Sequence, residues 1–250
     1  MDESITEAYR NGQRRLLLLD YDGTLIRFAP TPAAAHPNPQ LLALLKDLAE
    51  QPGNTVVIIS GRDQETLERT FAGVPVSLAA EHGCFLKDSL GEWRTICAID
   101  QNWKPAIEDT MQTYVNKLSG AFIERKATSL VWHYRLADAH LGKNLAGRLT
   151  TQLARQVRGT GMRVVPGHKI VEVCTADTDK SKAALHWLDS ASWDFVLAVG
   201  DDTTDEDMFA AMPDTAFTIK IGRGHTLARQ RLPNPAALQR LLMAEIQSTH

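Results

Sequence analysis

The hydrophobic and polar positions of this chain alternate between short apolar runs and longer periodic stretches. Residues 16–19 are four consecutive leucines, and residues 55–59 and 195–199 are short runs dominated by β-branched and aliphatic side chains. Runs of this length, closed by glycine or acidic residues, read as buried strands. Between the first two, Asn38 offers a side-chain cap and Pro39 suits a first helical position. Leucines then recur at helical spacing from Leu41 to Leu48, until Gly53 stops the helix. Asp63 opens a polar, amphipathic helix to about residue 70. The alternation resumes with a helix at 180–188 and strands at 195–199 and 216–221. This order predicts an α/β fold, a Rossmann-like core whose parallel sheet is covered by helices.

Residues 103–176 follow another rhythm, in which a helix and two strands are followed by a second helix and two more strands. Strands at 122–126 and 129–135 can pair around Ala127-Thr128, and a long amphipathic helix follows over 138–157. Strands at 163–165 and 169–174 can pair around Pro166-Gly167. The pattern predicts an α+β domain at 103–176, inserted into a core made of 1–102 and 177–250. An insertion of that kind is expected to govern access and specificity.

Composition narrows the partners. With 250 residues and 44% hydrophobic content the chain can bury a substantial core. Lys+Arg 27 against Asp+Glu 30 leaves no basic excess that would favour nucleic acid or an anionic membrane, so specificity is expected to come from local sites. Cys84, Cys97 and Cys174 are widely spaced, odd in number and without a metal-ligand pattern, which predicts three thiols in a reducing compartment. Met1-Asp2-Glu3-Ser4 lacks a basic start and no apolar run is long enough to span a bilayer, so a soluble, cytoplasmic protein is expected. Nothing fixes the oligomeric state, and a monomer suffices.

The candidate chemistry sits where the strands end. The leucine run delivers Asp20-Tyr21-Asp22-Gly23-Thr24, and the strand at 195–199 delivers Gly200-Asp201-Asp202-Thr203-Thr204-Asp205. Ligands bind at the carboxyl ends of strands in open α/β sheets. If these strands are parallel neighbours, Asp20, Asp22, Asp201 and Asp205 converge on one edge, and oxygen ligands at that density suit Mg²⁺. Ser60 ends a third strand, and Lys180 starts the 180–188 helix. Together they can hold phosphoryl oxygens opposite the metal.

These four segments, in this order, resemble the haloacid dehalogenase superfamily of phosphotransferases. The resemblance implies Asp20 as nucleophile through an aspartyl phosphate and Asp22 as general acid and base. It implies Mg²⁺ held by the Asp20 carboxylate, the Asp22 carbonyl and Asp201, with Asp205 ordering the shell; Asp202 is left unranked against Asp205. Lys182 is an alternative to Lys180, with the spacing from Glu172 favouring Lys180.

The insertion lies between the serine and lysine motifs, as in superfamily members with a large α+β cap. Residues 200–209, together with Ala80-Glu81-His82-Gly83, the stretch 124–135 and Gly167-His168-Lys169-Ile170-Val171-Glu172-Val173, resemble the trehalose-6-phosphate phosphatase family. That resemblance implies trehalose 6-phosphate as substrate. Thr24, Gly61, Arg62, Glu124, Lys126, Arg135, His168 and Glu172 become the implied substrate-binding set. Two readings stand beside it: a capped phosphatase acting on sucrose 6-phosphate or a hexose phosphate, and a receiver-like module that keeps its aspartyl phosphate. The second carboxylate Asp22 and the large insertion argue for turnover.

Overall fold

The computed structural model describes residues 3–31 and 34–247, so Met1 and Asp2 of the N-terminal reading lie outside it. The chain forms two compact units, one of Met1–Phe28, Ala35–Ile96 and Asp179–His250, the other of Ala29–Ala34 and Cys97–Thr178.

The larger unit begins with α1 (Glu3–Asn11), β1 (Arg15–Asp20), α2 (Pro39–Glu50), β2 (Asn54–Ile59), α3 (Gln64–Thr70), β3 (Ser77–Ala80), β4 (Phe85–Lys87) and β5 (Arg94–Thr95). The smaller unit supplies α4 (Lys104–Val115), β6 (Phe122–Arg125), β7 (Ser129–His133), α5 (Ala139–Gln156), β8 (Met162–Gly167) and β9 (Ile170–Thr175). The larger unit then resumes with α6 (Lys180–Leu188), β10 (Phe195–Gly200), α7 (Thr203–Ala211), β11 (Phe217–Ile221), β12 (Gln230–Leu232) and α8 (Pro235–Gln247).

The sheet of the larger unit runs β12-β11-β10-β1-β2-β3-β4-β5. Every pairing from β12 to β3 is parallel, and β4 and β5 add antiparallel strands at one edge. The leucine run is central: Leu16 to Leu19 are all fully buried, as a strand covered on both faces requires. Leu16, Leu18, Val57, Ile59, Val196 and Ala198 pack with Ala183, Ala184 and Trp187 of α6 and with Met208 and Phe209 of α7 on one face. On the other face α2 packs against β2 and α8, and α8 also packs against α1. Asn38 and Asp63 cap their helices as their sequence positions suggest, accepting from the main-chain N–H groups of Leu41 and Thr66.

In the smaller unit an antiparallel sheet, β6-β7-β9-β8, lays one face on α4 and α5. Leu130, Trp132, Val171 and Val173 meet Ile107, Met111, Leu145 and Leu149 there. The sequence reading needs one correction in this unit. Gly167 still belongs to β8, paired with Ile170, so the hairpin turns at His168-Lys169 rather than at Pro166-Gly167. Lys169 takes the left-handed conformation with φ of 60°, and Pro166 is accommodated because β8 is an edge strand that needs no donor there.

The cysteines require a second correction. Cys174 is a buried free thiol, but Cys84 and Cys97 are disulfide-bonded rather than thiols. Spacing and an odd count along the chain do not register such a bond, which depends on how the chain folds; on the Cys84 side, the Cys84 carbonyl accepts from Ile96 N–H at 2.9 Å. Among the described residues no helix is long and apolar enough to cross a membrane.

Candidate active site

Strand register builds the site. Asp20 lies opposite Ile59 on β2, and Leu19 opposite Val199 on β10. Ser60 and the start of the acidic segment therefore leave the sheet at the same edge as Asp20, one strand spacing to either side, roughly 4.8 Å. Asp20 is 4% exposed. Its Oδ1 accepts from Lys180 Nζ at 2.6 Å, and its Oδ2, also buried, has no hydrogen-bond partner among the described residues.

Lys180 is the first residue of α6, and the same Nζ donates to Asp205 Oδ1 at 2.7 Å. Lys182 is exposed one side of the helix away, so the geometry brings Lys180, and not Lys182, to the carboxylates. Asp202 and Asp205 also separate. Asp202 caps α7, accepting from the N–H of Thr203 at 2.7 Å. Asp205 is fully buried, and its Oδ2 accepts from the main-chain N–H groups of Asp201 and Asp202 at 2.9 Å each. Both oxygens of Asp205 thus hold the loop and the lysine.

Two glycines make this crowding possible. Gly23 has φ of 94°, and a Cβ there would stand 2.2 Å from Asp201 Oδ2. A Cβ on Gly200 would stand 2.2 Å from Asp205 Cγ. Neither position admits a side chain. Thr24 Oγ1, fully buried, donates to Asp201 Oδ1 at 3.4 Å.

Asp20, Asp201 and Asp205 each offer an oxygen, and the three oxygens lie within 4.8 Å of one another. Burial pushes Asp20 and Asp201 above the usual carboxylate range, and the neighbouring carboxylates push in the same direction against the pull of Lys180. Lys180 is raised as well, for a different reason: burial would lower it, but Asp20 and Asp205 together raise it. Three carboxylates share one ammonium, an imbalance that a divalent cation with oxygen ligands would relieve.

Asp22 is turned toward Arg62, whose Nε and Nη2 donate to Asp22 Oδ2 and Oδ1, each at 2.7 Å. Arg62 follows Ser60-Gly61, and its N–H donates to Ser60 Oγ at 3.2 Å. A Cβ on Gly61 would stand 2.7 Å from the His82 ring. Glu81 and His82 both have positive φ, 46° and 56°, which is strained backbone for residues with side chains. Their N–H groups donate to the Arg62 and Ser60 carbonyls at 2.9 Å each, laying this turn along the serine loop.

The remaining implied residues lie in the smaller unit. Glu124 and Glu172 are both in register with Val131, so they share one face of the sheet. Glu124 Oε2 meets His133 Nε2 at 2.7 Å, and the His133 ring stacks on Phe122 with centroids 4.6 Å apart. Lys126 Nζ lies 3.8 Å from Glu172 Oε1, and both side chains are buried. Burial alone would raise Glu124, but His133 and Lys126 outweigh it and hold the carboxyl below its ordinary range. Arg135 donates to the carbonyls of Ala29 and His168, the latter at 2.9 Å, and lies 3.3 Å from the His168 ring.

Sequence reading missed three supports. The segment Glu81-His82 enters the sequence reading only through its resemblance, and its bracing of the serine loop shows in the positive φ angles and the two main-chain bonds. The grip of Arg62 on Asp22 joins residues forty apart and requires knowing that β1 and β2 are neighbours. The third is Glu206, which accepts from Lys220 Nζ at 3.0 Å, Thr226 Oγ1 at 3.1 Å and Leu227 N–H at 2.7 Å, while Lys220 Nζ also donates to the Asp202 carbonyl at 3.1 Å. A lone lysine inside the apolar run 216–221 was the available signal.

Comparison with known proteins places the chain in a family. The trehalose-phosphatase family matches residues 18–234. The chain is similar to the bifunctional trehalose-6-phosphate synthase/phosphatase of Thermoproteus tenax, 39% identical over 240 residues, which span 96% of this chain and 33% of that protein. It is also similar to a trehalose-phosphatase of Saccharomyces cerevisiae, 37% identical over 228 residues, which span 82% of this chain and 25% of that protein. It therefore spans only about a quarter to a third of the length of these relatives. Among solved structures, the C-terminal domain of the C. albicans trehalose-6-phosphate phosphatase aligns with a TM-score of 0.93 at 32% identity, covering 98% of this chain and 96% of that one. A haloacid dehalogenase-like hydrolase from Bacteroides thetaiotaomicron, 14% identical with a TM-score of 0.66 over 92% of this chain and 98% of its own, shares the fold. With the motifs, the sheet-edge site and these likenesses in agreement, the chain belongs to the trehalose-phosphatase family, on the fold of the haloacid dehalogenase superfamily.

Proposed function

We propose that this chain hydrolyses trehalose 6-phosphate to trehalose and inorganic phosphate, with Asp20 as nucleophile. The observation that carries the reading is the state of the Asp20 carboxylate: buried, tied through Oδ1 to Lys180, and with Oδ2 left as the unpartnered oxygen. A nucleophilic oxygen needs this freedom, and the lysine holds the other one out of the reaction.

In the first half of the cycle Asp20 Oδ2 forms a bond to phosphorus as the bond from phosphorus to the sugar oxygen breaks, and Asp22 gives that oxygen a proton. In the second, a water oxygen bonds to phosphorus while the bond from Asp20 breaks, and the water's proton passes to Asp22. The protein ends as it began. Lys180 spends two N–H groups on Asp20 and Asp205 and keeps a third for a phosphoryl oxygen. Ser60, Thr24 and Gly61 serve the phosphoryl group from the same strand ends.

Asp20, the Asp22 carbonyl and Asp201 would hold Mg²⁺, with Asp205 ordering them from behind. The fit rests on three clustered carboxylates and on the glycine at residue 23 that keeps space beside Asp201. When bound, the ion neutralises the approach of an anionic nucleophile to an anionic phosphate. Sugar recognition falls to Glu124, Lys126, Arg135, His168 and Glu172, where carboxylates accept from hydroxyls and cations donate.

The test is phosphate release from trehalose 6-phosphate, sucrose 6-phosphate and glucose 6-phosphate, with Mg²⁺ or with EDTA. Turnover is expected to be fastest on trehalose 6-phosphate and to vanish in EDTA. Equal rates on all three would refute the substrate, and full activity in EDTA would refute the metal.

A further inference from the structure

Arg62 belongs to the serine-motif loop, yet the contacts of its guanidinium in this structure are made with the protein itself. Its Nε and Nη2 donate to both oxygens of Asp22 at 2.7 Å, a two-point side-on pair. Nη2 also donates to the Ala35 carbonyl at 3.1 Å. The guanidinium lies over the ring of Tyr21, 4.8 Å from its centroid, and that ring is itself fully buried and packed edge-on against Phe71. The main chain of Arg62 is pinned as well, through its N–H to Ser60 Oγ and its carbonyl from Glu81 N–H. With the residue 7% exposed, this is a rigid mount rather than a surface ion pair, and Asp22 is the mounted group.

We propose that Arg62 is a positioning residue for the hydrolytic half of the reaction, aiming the Asp22 carboxylate that takes the proton from the attacking water. The inference rests on the reading of Asp22 as acid and base given above. The guanidinium donates to both Asp22 oxygens, which fixes where the carboxyl group points. Side-on pairing occupies one lone pair on each oxygen and leaves the other available, so the grip orients the base without blocking it. In the step concerned, a water O–P bond forms, the bond from phosphorus to Asp20 breaks, and the water's proton moves to Asp22. Lysine cannot reproduce a planar two-point grip or the stacking on Tyr21, so Arg62→Lys is not a neutral exchange.

The experiment is rapid acid quench of the Mg²⁺-loaded full chain turning over p-nitrophenyl phosphate and trehalose 6-phosphate, for wild type, Arg62→Lys, Arg62→Ala, Asp22→Asn and the Asp22→Asn, Arg62→Ala pair. Thermal melts confirm that each variant is folded. Arg62→Ala is expected to slow turnover about 10- to 100-fold, less than the roughly 100- to 10,000-fold that an acid–base group itself contributes, while the acid-stable phosphoenzyme fraction rises. Arg62→Lys should fall between Arg62→Ala and wild type. In the Asp22→Asn background, removing Arg62 should cost less than threefold, because the group it positions is already gone. Slow turnover without phosphoenzyme accumulation, or an undiminished loss in the Asp22→Asn background, would overturn the proposal and leave Asp22 in its role. A wild type that forms no phosphoenzyme would instead overturn the covalent reading itself, and this inference with it.

Discussion

The carboxylates of the two units are held in different ways. In the larger unit Asp20, Asp201 and Asp205 sit at strand ends or on the first turn of a helix, and main-chain N–H groups fix Asp205 in place. In the smaller unit Glu124 and Glu172 rise from strand interiors and are met by side chains, His133 at 2.7 Å and Lys126 at 3.8 Å. The first arrangement is set by sheet topology and two glycines, so it allows almost no change. The second is set by which side chain occupies each register position, and it can be rewritten one residue at a time. On the function proposed above, chemistry that must stay constant would lie in the larger unit, and the choice of substrate in the smaller.

Substitutions should expose that difference. The largest effect is expected from Gly23→Ala, where the new methyl would stand 2.2 Å from Asp201 Oδ2 and the residue would keep a φ of 94°. Activity should drop at least 100-fold on every phosphate ester, and the rise in melting temperature on adding Mg²⁺ should shrink, as expected for a site whose ion binds less tightly. Retained activity on small aryl phosphates would show that the metal site tolerates displacement, against the topological account.

A smaller and more selective effect is expected from Glu124→Gln. Loss of a charge-assisted contact costs about 1 to 3 kcal/mol, so kcat/KM on trehalose 6-phosphate should fall roughly 10- to 100-fold while p-nitrophenyl phosphate is spared. The pH dependence of its stability effect follows from its lowered carboxyl. A group whose folded value lies below the unfolded one, about 4.3, stabilises fully above the unfolded value and ceases to do so as pH falls through the folded value. Urea midpoints of wild type and Glu124→Gln should therefore differ most near neutrality and converge below about pH 4. Equal losses on both substrates would place Glu124 in the general scaffold.

How much the sequence revealed follows the same division. The parallel core was legible because Leu16 to Leu19 and residues 195–199 are buried on both faces, leaving apolar runs with acids directly behind them. The hairpin of β6 and β7 was legible from its polar break at Ala127-Thr128. Helices α1, α7 and α8 escaped notice: the sequence of α7 was read for its carboxylates, and its capping by Asp202 and Asp205 uses the same side chains as the site. The turn after β8 was misplaced because Pro166-Gly167 is a common turn pair, whereas an edge strand accepts proline without bending. The disulfide at Cys84 and Cys97 and the pairing of Arg62 with Asp22 depend on chain segments meeting in space, and spacing along the chain carries no trace of either.

The central claim is that Asp20 Oδ2 is the reacting atom. The most direct measurement is acid quench of the Mg²⁺-loaded protein during turnover of trehalose 6-phosphate, followed by borohydride reduction and peptide mass spectrometry. Reduction of an aspartyl phosphate leaves homoserine, and the account places that conversion at Asp20 alone. Conversion at Asp22 or Asp201, or none while phosphate is being released, would contradict it.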